Sequence, residues 1–245
     1  MNTNMNMTNK TVLVTGANRG IGHALVDEAL QRGARRVYAG TRRPMAPVDE
    51  RVIPVALEVS NRSQIEAAAQ AVDSLDLLIN NAGVGLYDDL SDRAALEAHL
   101  AVNLFGPYDM IQAFLPVLTD SRGAIVNVLS IAALAALPII PSYSVSKAAA
   151  FSLTQNLRPL LAGHGVSLHA VLVGPTDTEM SRGFEVPKVS AAYAAAAILD
   201  GVNAGEEEIF PHPMLEAAAQ SWRSGEIKSL ERQFASFIEP AAVAS

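Results

Sequence analysis

The sequence predicts an α/β fold, a doubly wound sheet of about seven parallel strands with helices on both faces. Three observations carry this reading. Short β-branched runs alternate with amphipathic segments along the chain. The first run, Thr11-Val-Leu-Val14, leads into the glycine-rich loop Thr15-Gly-Ala-Asn-Arg-Gly-Ile-Gly22 and then into a helical pattern. At 245 residues, 50% of them hydrophobic, the chain is long enough for one large core and too apolar for disorder.

Taken in order, strands are expected at 11–15, 35–41, 52–58, 75–80, 123–129, 166–173 and 207–210. Helices are expected at 21–32, 61–72, 93–118, 143–162 and 190–202, with another in 214–236. No internal repeat or linker-like stretch interrupts this alternation, so 1–245 reads as one domain, with 1–9 disordered and 212–245 a C-terminal helical extension. Pro159 lacks an N–H and predicts a bend near Gln155. Ile227, Leu230, Phe234 and Phe237 recur at spacings of 3, 4 and 3, an amphipathic stripe expected to pack on the protein's own core. A subunit contact or a cover on the substrate cleft is the alternative for that stripe. Glu206-Glu207-Glu208 reads as a solvated or edge face.

Charge and composition exclude several classes. With 18 Lys and Arg against 25 Asp and Glu, the net charge of −7 argues against nonspecific binding to nucleic acid or anionic membranes. The absence of cysteine excludes disulfides, thiolate chemistry and cysteine-based metal sites. The polar start Met1-Asn-Thr-Asn-Met-Asn-Met-Thr-Asn9 lacks the apolar region of a signal peptide. The longest apolar stretch, Val128 to Ile140, is interrupted by Ser130 and Pro138 and is too short to span a bilayer. A cytoplasmic location without membrane attachment is the expectation. His23, His99 and His212 are isolated, and His164 and His169 straddle a Gly-Val turn, so no metal site is expected.

The chemistry concentrates in Ser130 and Tyr143-Ser-Val-Ser-Lys147. Tyr143 and Lys147 are four residues apart, which on a helix stacks a phenol and an ammonium on one face. A free tyrosine titrates near ~10 and is a poor acid or base at neutral pH. An adjacent ammonium favours the phenolate and is expected to lower that value. Ser130 follows the buried run Gly123-Ala-Ile-Val-Asn-Val-Leu129, so a strand end and a helix start bring it to Tyr143. The glycine loop has the strand–loop–helix context in which backbone N–H groups and a helix N-terminus approach a pyrophosphate.

Thr15-Gly16-x-x-x-Gly20-Ile21-Gly22, Asn80-Asn81-Ala82-Gly83, Asn103, Ser130, Tyr143-x-x-x-Lys147, and Gly174-Pro175 followed by Thr178 occur in that order. Together they resemble the motif set of the short-chain dehydrogenase/reductase family, in its single-domain, carbonyl reductase-like branch, from about Lys10 to about Pro211. The resemblance implies a Rossmann-type sheet that binds NADP(H), a small-molecule carbonyl or alcohol substrate, and assembly as a homodimer or homotetramer. It implies Tyr143 as general acid in carbonyl reduction, Lys147 holding the nicotinamide ribose, and Ser130 bonding the substrate oxygen. Asn103 would hold a water connecting Lys147 to solvent. Gly16, Asn18, Arg19, Gly20, Ile21 and Gly22 would cradle the cofactor. Asn81, Ala82 and Gly83 would wall the adenosine, with Asn80 bracing neighbouring strands. Glu58 and Val59 would lie near adenine, and Gly174, Pro175, Thr176 and Thr178 would close the site with Tyr143 and Lys147.

Departures from the family pattern are small. Leu129 replaces a second serine, Glu58 replaces Asp, and Val173 precedes Gly174-Pro175 where relatives often have Pro-Gly. Thr41 stands where NAD-using relatives have an acid, with Arg42 next, so Arg42 and Arg19 are expected to hold a 2′-phosphate. The segment 181–187, with Val84, Leu86, Ile131, Pro138 and Met180, suggests an apolar pocket for a small or medium ketone or aldehyde. A same-fold epimerase or lyase and a non-catalytic nucleotide sensor remain open at this point.

Overall fold

The computed structural model describes residues 5–43, 46 and 49–238. The strands are β1 (Thr11–Thr15), β2 (Arg36–Thr41), β3 (Val52–Ala56), β4 (Leu77–Asn80), β5 (Ala124–Val128), β6 (Ser167–Val171), β7 (Thr176–Asp177), β8 (Val189–Ser190) and β9 (Glu208–Ile209). The helices are α1 (Gly20–Gln31), α2 (Arg62–Ala71), α3 (Arg93–Leu100), α4 (Gly106–Ser121), α5 (Pro141–Ala162), α6 (Ala191–Asn203), α7 (Glu216–Ser224) and α8 (Glu226–Ala235). Seven strands form one sheet in the order β3-β2-β1-β4-β5-β6-β9, every pair parallel. Strand order reverses between β1 and β4, and that switch point opens a crevice at the carboxyl edge.

Strands buried on both faces read as continuous apolar runs, as in Leu77-Leu-Ile79. On one face Leu25, Val26 and Ala29 of α1 join Ile198, Leu199 and Val202 of α6 over Val12, Val14 and Ile79. On the other, Ile65 of α2 and Met110, Phe114 and Leu118 of α4 cover Leu13, Leu78 and Ile125. Asn80 donates to Asn127 Oδ1 at 2.9 Å, and Asn127 donates to Thr154 Oγ1 at 2.9 Å. This buried chain braces β4 against β5 and β5 against α5.

Several expectations need correction. The helix expected over 93–118 is three pieces: a π-turn, Ala101–Phe105, separates α3 from α4. Gly106 closes that turn because a Cβ there would stand 2.9 Å from Val59 Cγ2. The segment expected to be disordered is described from residue 5. Met7 is 2% exposed within the core and Asn9 N–H bonds Gly33 O at 2.9 Å. α5 starts at Pro141, two residues before the expected 143, and runs past Pro159 to Ala162. A two-residue pair, β7 with β8, forms a separate parallel ladder that the sequence pattern did not mark.

The C-terminal extension departs furthest. It divides at Gly225, whose hypothetical Cβ would meet Ser221 O at 2.7 Å. Its apolar stripe faces outward: Ile227, Leu230, Phe234 and Phe237 are all exposed. The buried residue of α8 is Lys228, 1% exposed. Its ammonium lies 2.9 Å from Glu207, 2.9 Å from Glu208 and 3.1 Å from Glu231. Arg158 of α5 bridges Glu208 and Glu231 at 2.8 and 2.6 Å. The acidic run is therefore an anchor rather than a solvated face, because three carboxylates compensate the desolvated ammonium. Burial works against the Glu207 carboxylate, but Lys228, Arg158 and Arg232 outweigh it and hold the group below its usual range.

Lys228→Ala leaves these carboxylates facing one another across a void. Urea denaturation is expected to show a loss of about 3–5 kcal/mol, the scale for breaking a buried ion cluster from one side. A loss below ~1 kcal/mol would assign α8 docking to something other than this cluster.

Candidate active site

The carboxyl edge of β1 carries the glycine loop. Gly16 and Gly20 have φ of +66° and +55°, a region closed to most side chains. Gly22 is required by close approach: a Cβ there would stand 2.2 Å from Gly16 O. Arg19 precedes α1 without a side-chain cap, so no side chain closes the N-terminus of that helix. Thr15 Oγ1 accepts from Asn81 N–H and Ala82 N–H at 3.0 Å each, and Asn81 Nδ2 donates to Thr15 O at 2.9 Å. The loop and the wall after β4 are thus one hydrogen-bonded unit. These features fit a dinucleotide: exposed loop backbone, an uncapped helix start and a short-residue wall.

Along the same rim, Glu58 is half-buried and its N–H bonds Gln64 Oε1 at 2.8 Å. Val59 is buried in the core, which leaves only its backbone for a ligand. Thr41 is 2% exposed and its hydroxyl donates to Arg43 O at 2.6 Å. Arg42 is exposed and has no ion-pair partner among the described residues. Asn18 and Ile21 lie in the loop and the first turn of α1. Gly174 packs against His212, with a Cβ there 2.9 Å from the imidazole. Pro175 O accepts from Val189 N–H, and Thr176 Oγ1 donates to Gly174 O at 3.1 Å. Thr178 caps the short turn at Glu179–Ser181 and lies against Gly20.

Arg19 departs from its expected place. Its guanidinium pairs with Glu179, across the cleft from the glycine loop. It meets a 2′-phosphate only if that exposed pair gives way.

The catalytic candidates converge. Ser130, Tyr143 and Lys147 are 8%, 9% and 5% exposed. Ser130 Oγ accepts from Ala132 N–H at 3.1 Å, which fixes its rotamer at the end of β5. Lys147 Nζ donates to Val128 O at 2.9 Å and lies 5.6 Å from the centre of the Tyr143 ring. Burial raises the Tyr143 pKa, with a smaller opposing pull from the Ser130 hydroxyl. Burial likewise pushes Lys147 down to about 8. The expected lowering of the tyrosine by its ammonium is therefore reversed here. Desolvation dominates, and the lysine is turned to a backbone carbonyl over the ring face.

Asn103 sits in the π-turn, a frequent setting for functional residues. Its Oδ1 accepts from Val84 N–H at 2.9 Å, and its Nδ2 donates to Val84 O and Ser146 Oγ at 2.9 Å each. Both amide hydrogens are engaged, so the side chain has no donor left for a water. It also clamps the wall: a Cβ on Gly83 would stand 3.2 Å from Asn103 Oδ1 and 3.6 Å from Lys147 Nζ.

Three residues carried no sequence signal. His99, fully buried, accepts Leu86 N–H at Nε2 (3.0 Å), holds Ala95 O at Nδ1 (2.7 Å), and meets the Tyr143 ring edge-on. Gly85 lies under that ring: a Cβ would stand 3.4 Å from Tyr143 Cδ2 and 3.6 Å from Met180 Sδ. Asp88 accepts from Ser142 Oγ at 2.8 Å. Tyr87 stacks on Phe184 at 6.0 Å, which joins this loop to the segment 181–187. Among the described residues no group of His, Asp and Glu is placed to hold a metal ion, and no helix is long and apolar enough to cross a membrane.

A family model described as short chain dehydrogenase matches residues 10–187. A short-chain dehydrogenase of Penicillium crustosum is 38% identical over 186 residues, 70% of this chain and 68% of that protein. Among solved structures, a short chain dehydrogenase from Burkholderia cenocepacia in complex with NADP is 40% identical with a TM-score of 0.85, covering 94% of this chain and 98% of that one. An NADPH-bound carbonyl reductase from chicken fatty liver is 28% identical with a TM-score of 0.77, covering 83% and 97%.

Asn103→Ala strips partners from both backbone groups of Val84 at once. Thermal or urea denaturation is expected to register a loss of about 1–3 kcal/mol, the cost of leaving buried polar groups unpaired. An unchanged transition would mean that water replaces the amide without cost.

Proposed function

The chain belongs to the short-chain dehydrogenase/reductase family, and on that premise we propose that it reduces a carbonyl to a secondary or primary alcohol with NADPH. The observation that carries this reading is the burial of Ser130, Tyr143 and Lys147 together at the carboxyl edge, beside the glycine loop. NADPH, held by the glycine loop and the wall after β4, would supply the hydride for the carbonyl carbon. Ser130, at the end of β5, hydrogen-bonds the carbonyl oxygen as negative charge gathers there. Tyr143 donates its phenolic proton to the same oxygen, so hydride and proton together complete the alcohol. Burial that keeps the phenol protonated suits it to this direction. With the cofactor bound, Lys147 would hold the nicotinamide ribose and provide the cation beside the phenolate that remains. Asn103 and Gly83 set the wall against which that ammonium lies.

The preference for NADP(H) over NAD(H) rests on the end of β2. An acid there would bond the ribose hydroxyls and repel a 2′-phosphate. This chain has buried Thr41 and exposed Arg42. The relatives solved with NADP and NADPH support the same choice. Arg42 would be the primary phosphate ligand, with Arg19, paired with Glu179 in the free protein, as a second. Gly85, Met180 and Leu86 near Tyr143 support a small or medium apolar ketone or aldehyde as substrate. A cofactor-linked absorbance assay over a panel of ketones and aldehydes tests the assignment. Turnover with none of them would refute it.

Tyr143→Phe is expected to keep NADPH binding and lose at least ~100-fold in turnover, the usual scale for removing a general acid. Near-normal turnover in the folded variant would sink the mechanism.

Arg42→Ala removes a charge-assisted contact worth on the order of 1.5–3 kcal/mol. The Michaelis constant for NADPH is expected to rise roughly 10- to 100-fold, with that for NADH nearly unchanged. Equal loss with both cofactors would move the selector elsewhere.

A further inference from the structure

The first turn of α5 poses a problem that its own sequence does not solve. The helix opens with Pro141, and Ile140 before it supplies no side-chain cap. A helix start leaves its first N–H groups without intrahelical partners, and a carboxylate is a strong acceptor for them. Tyr143 stands in this same turn, so any play at the helix start is play at the phenol.

The first turn is held instead from 54 residues away in sequence. Asp88 Oδ1 accepts from Ser142 Oγ at 2.8 Å and from Leu90 N–H at 3.1 Å. Burial opposes charge on Asp88, but these bonds outweigh it and hold the carboxyl below its ordinary range. Ser142 is fully buried and immediately precedes Tyr143. Asp88 belongs to the loop after β4, whose other anchors are the Val84–Asn103 pair and the Leu86–His99 bond. Between those anchors lies Gly85, the floor of the Tyr143 ring. One carboxylate thus joins the floor to the helix start that carries the phenol.

We propose that Asp88 is a positioning residue for Tyr143: by accepting the Ser142 hydroxyl it pins the first turn of α5 from outside and fixes the phenol over Gly85 and beside Ser130. This rests on the reading of Tyr143 as the proton donor. Lys147 stands on the phenol's own helix and His99 of α3 meets its ring edge-on, while Asp88 reaches it through Ser142. Removing the Asp88 charge therefore favours the phenolate, while shortening the side chain also frees the helix start.

Three variants separate these effects: Asp88→Ala, Asp88→Asn and Ser142→Ala. Each is measured for kcat and for KM toward NADPH and carbonyl. Each is also titrated for Tyr143 by ultraviolet phenolate absorbance, as the difference from the same protein carrying Tyr143→Phe. Asp88→Ala is expected to lower kcat about 10- to 100-fold, the scale of a roughly 1 Å misplacement, with KM for NADPH within about 2-fold of wild type. Asp88→Asn keeps an acceptor for Ser142 and is expected to recover most of kcat, while its phenol titrates at lower pH than wild type. Ser142→Ala is expected to lose kcat as Asp88→Ala does, without the downward shift. Wild-type kcat and titration in Asp88→Ala would overturn the proposal, as would a silent Ser142→Ala beside an impaired Asp88→Ala. If wild type reduces no carbonyl at all, the catalytic reading fails by itself. The phenolate titration then decides Asp88 alone: a shift in Asp88→Asn sustains its coupling to the phenol through the first turn of α5, and no shift overturns it.

Discussion

The site depends on the Thr15 hydroxyl, buried where β1 and β4 part. It accepts two backbone N–H groups from Asn81 and Ala82, and Asn81 returns a bond to Thr15 O. A parallel sheet leaves strand-end N–H and C=O groups without ladder partners exactly where its order reverses, and an unpaired buried group is costly. One threonine satisfies the reversal and joins the glycine loop to the wall facing it. From that wall the bonding continues through Val84 to Asn103, and through Asn103 to Ser146 on α5. The cofactor loop and the helix bearing Tyr143 and Lys147 are therefore linked by short, buried hydrogen bonds. The π-turn belongs to the same chain, since it gives Asn103 its place against Val84 and turns Gly106 onto Val59.

The electrostatics of the site follow from its dryness. Tyr143 and Lys147 are almost wholly removed from solvent, and burial opposes charge on both. The two shifts run in opposite directions: burial moves the phenol further from neutral pH and the lysine closer to it, so both side chains favour their uncharged forms. A phenol kept neutral and an ammonium held near about 8 form a site whose charge is readily reset when a cofactor ribose or a substrate oxygen arrives. The Arg19–Glu179 pair is the contrasting case. Both side chains are more than half exposed, so the pair contributes little to stability and yields easily to a stronger anion.

At the other edge of the sheet, charge does the work usually done by apolar packing. α8 is docked by Lys228 among Glu207, Glu208 and Glu231, while Leu230 and Phe234 face outward. Periodicity located the stripe correctly and misjudged its direction. A period of three and four says which residues share a face, and not which face meets the protein. The acidic run at the end of the last strand settled that, since its charge requires a buried cation opposite.

Much was legible before any coordinates. The alternation of β-branched runs with amphipathic segments determines a parallel doubly wound sheet, because each element carries its own burial pattern. Thr15 to Gly22, Asn80 to Gly83, Ser130 and Tyr143-x-x-x-Lys147 are local signals, and each landed on the rim of one crevice. Only the tertiary structure decided what depends on pairs distant along the chain. Asp88 with Ser142, His99 with Leu86 and Arg19 with Glu179 involve common polar residues whose partners have no fixed spacing. The sign of the Tyr143 shift belongs with them. Sequence places an ammonium one turn away, but the balance between that charge and desolvation is set by how deeply the fold buries both. Local chemistry is written in residue type and period; burial and long-range partnership exist only once the chain has closed on itself.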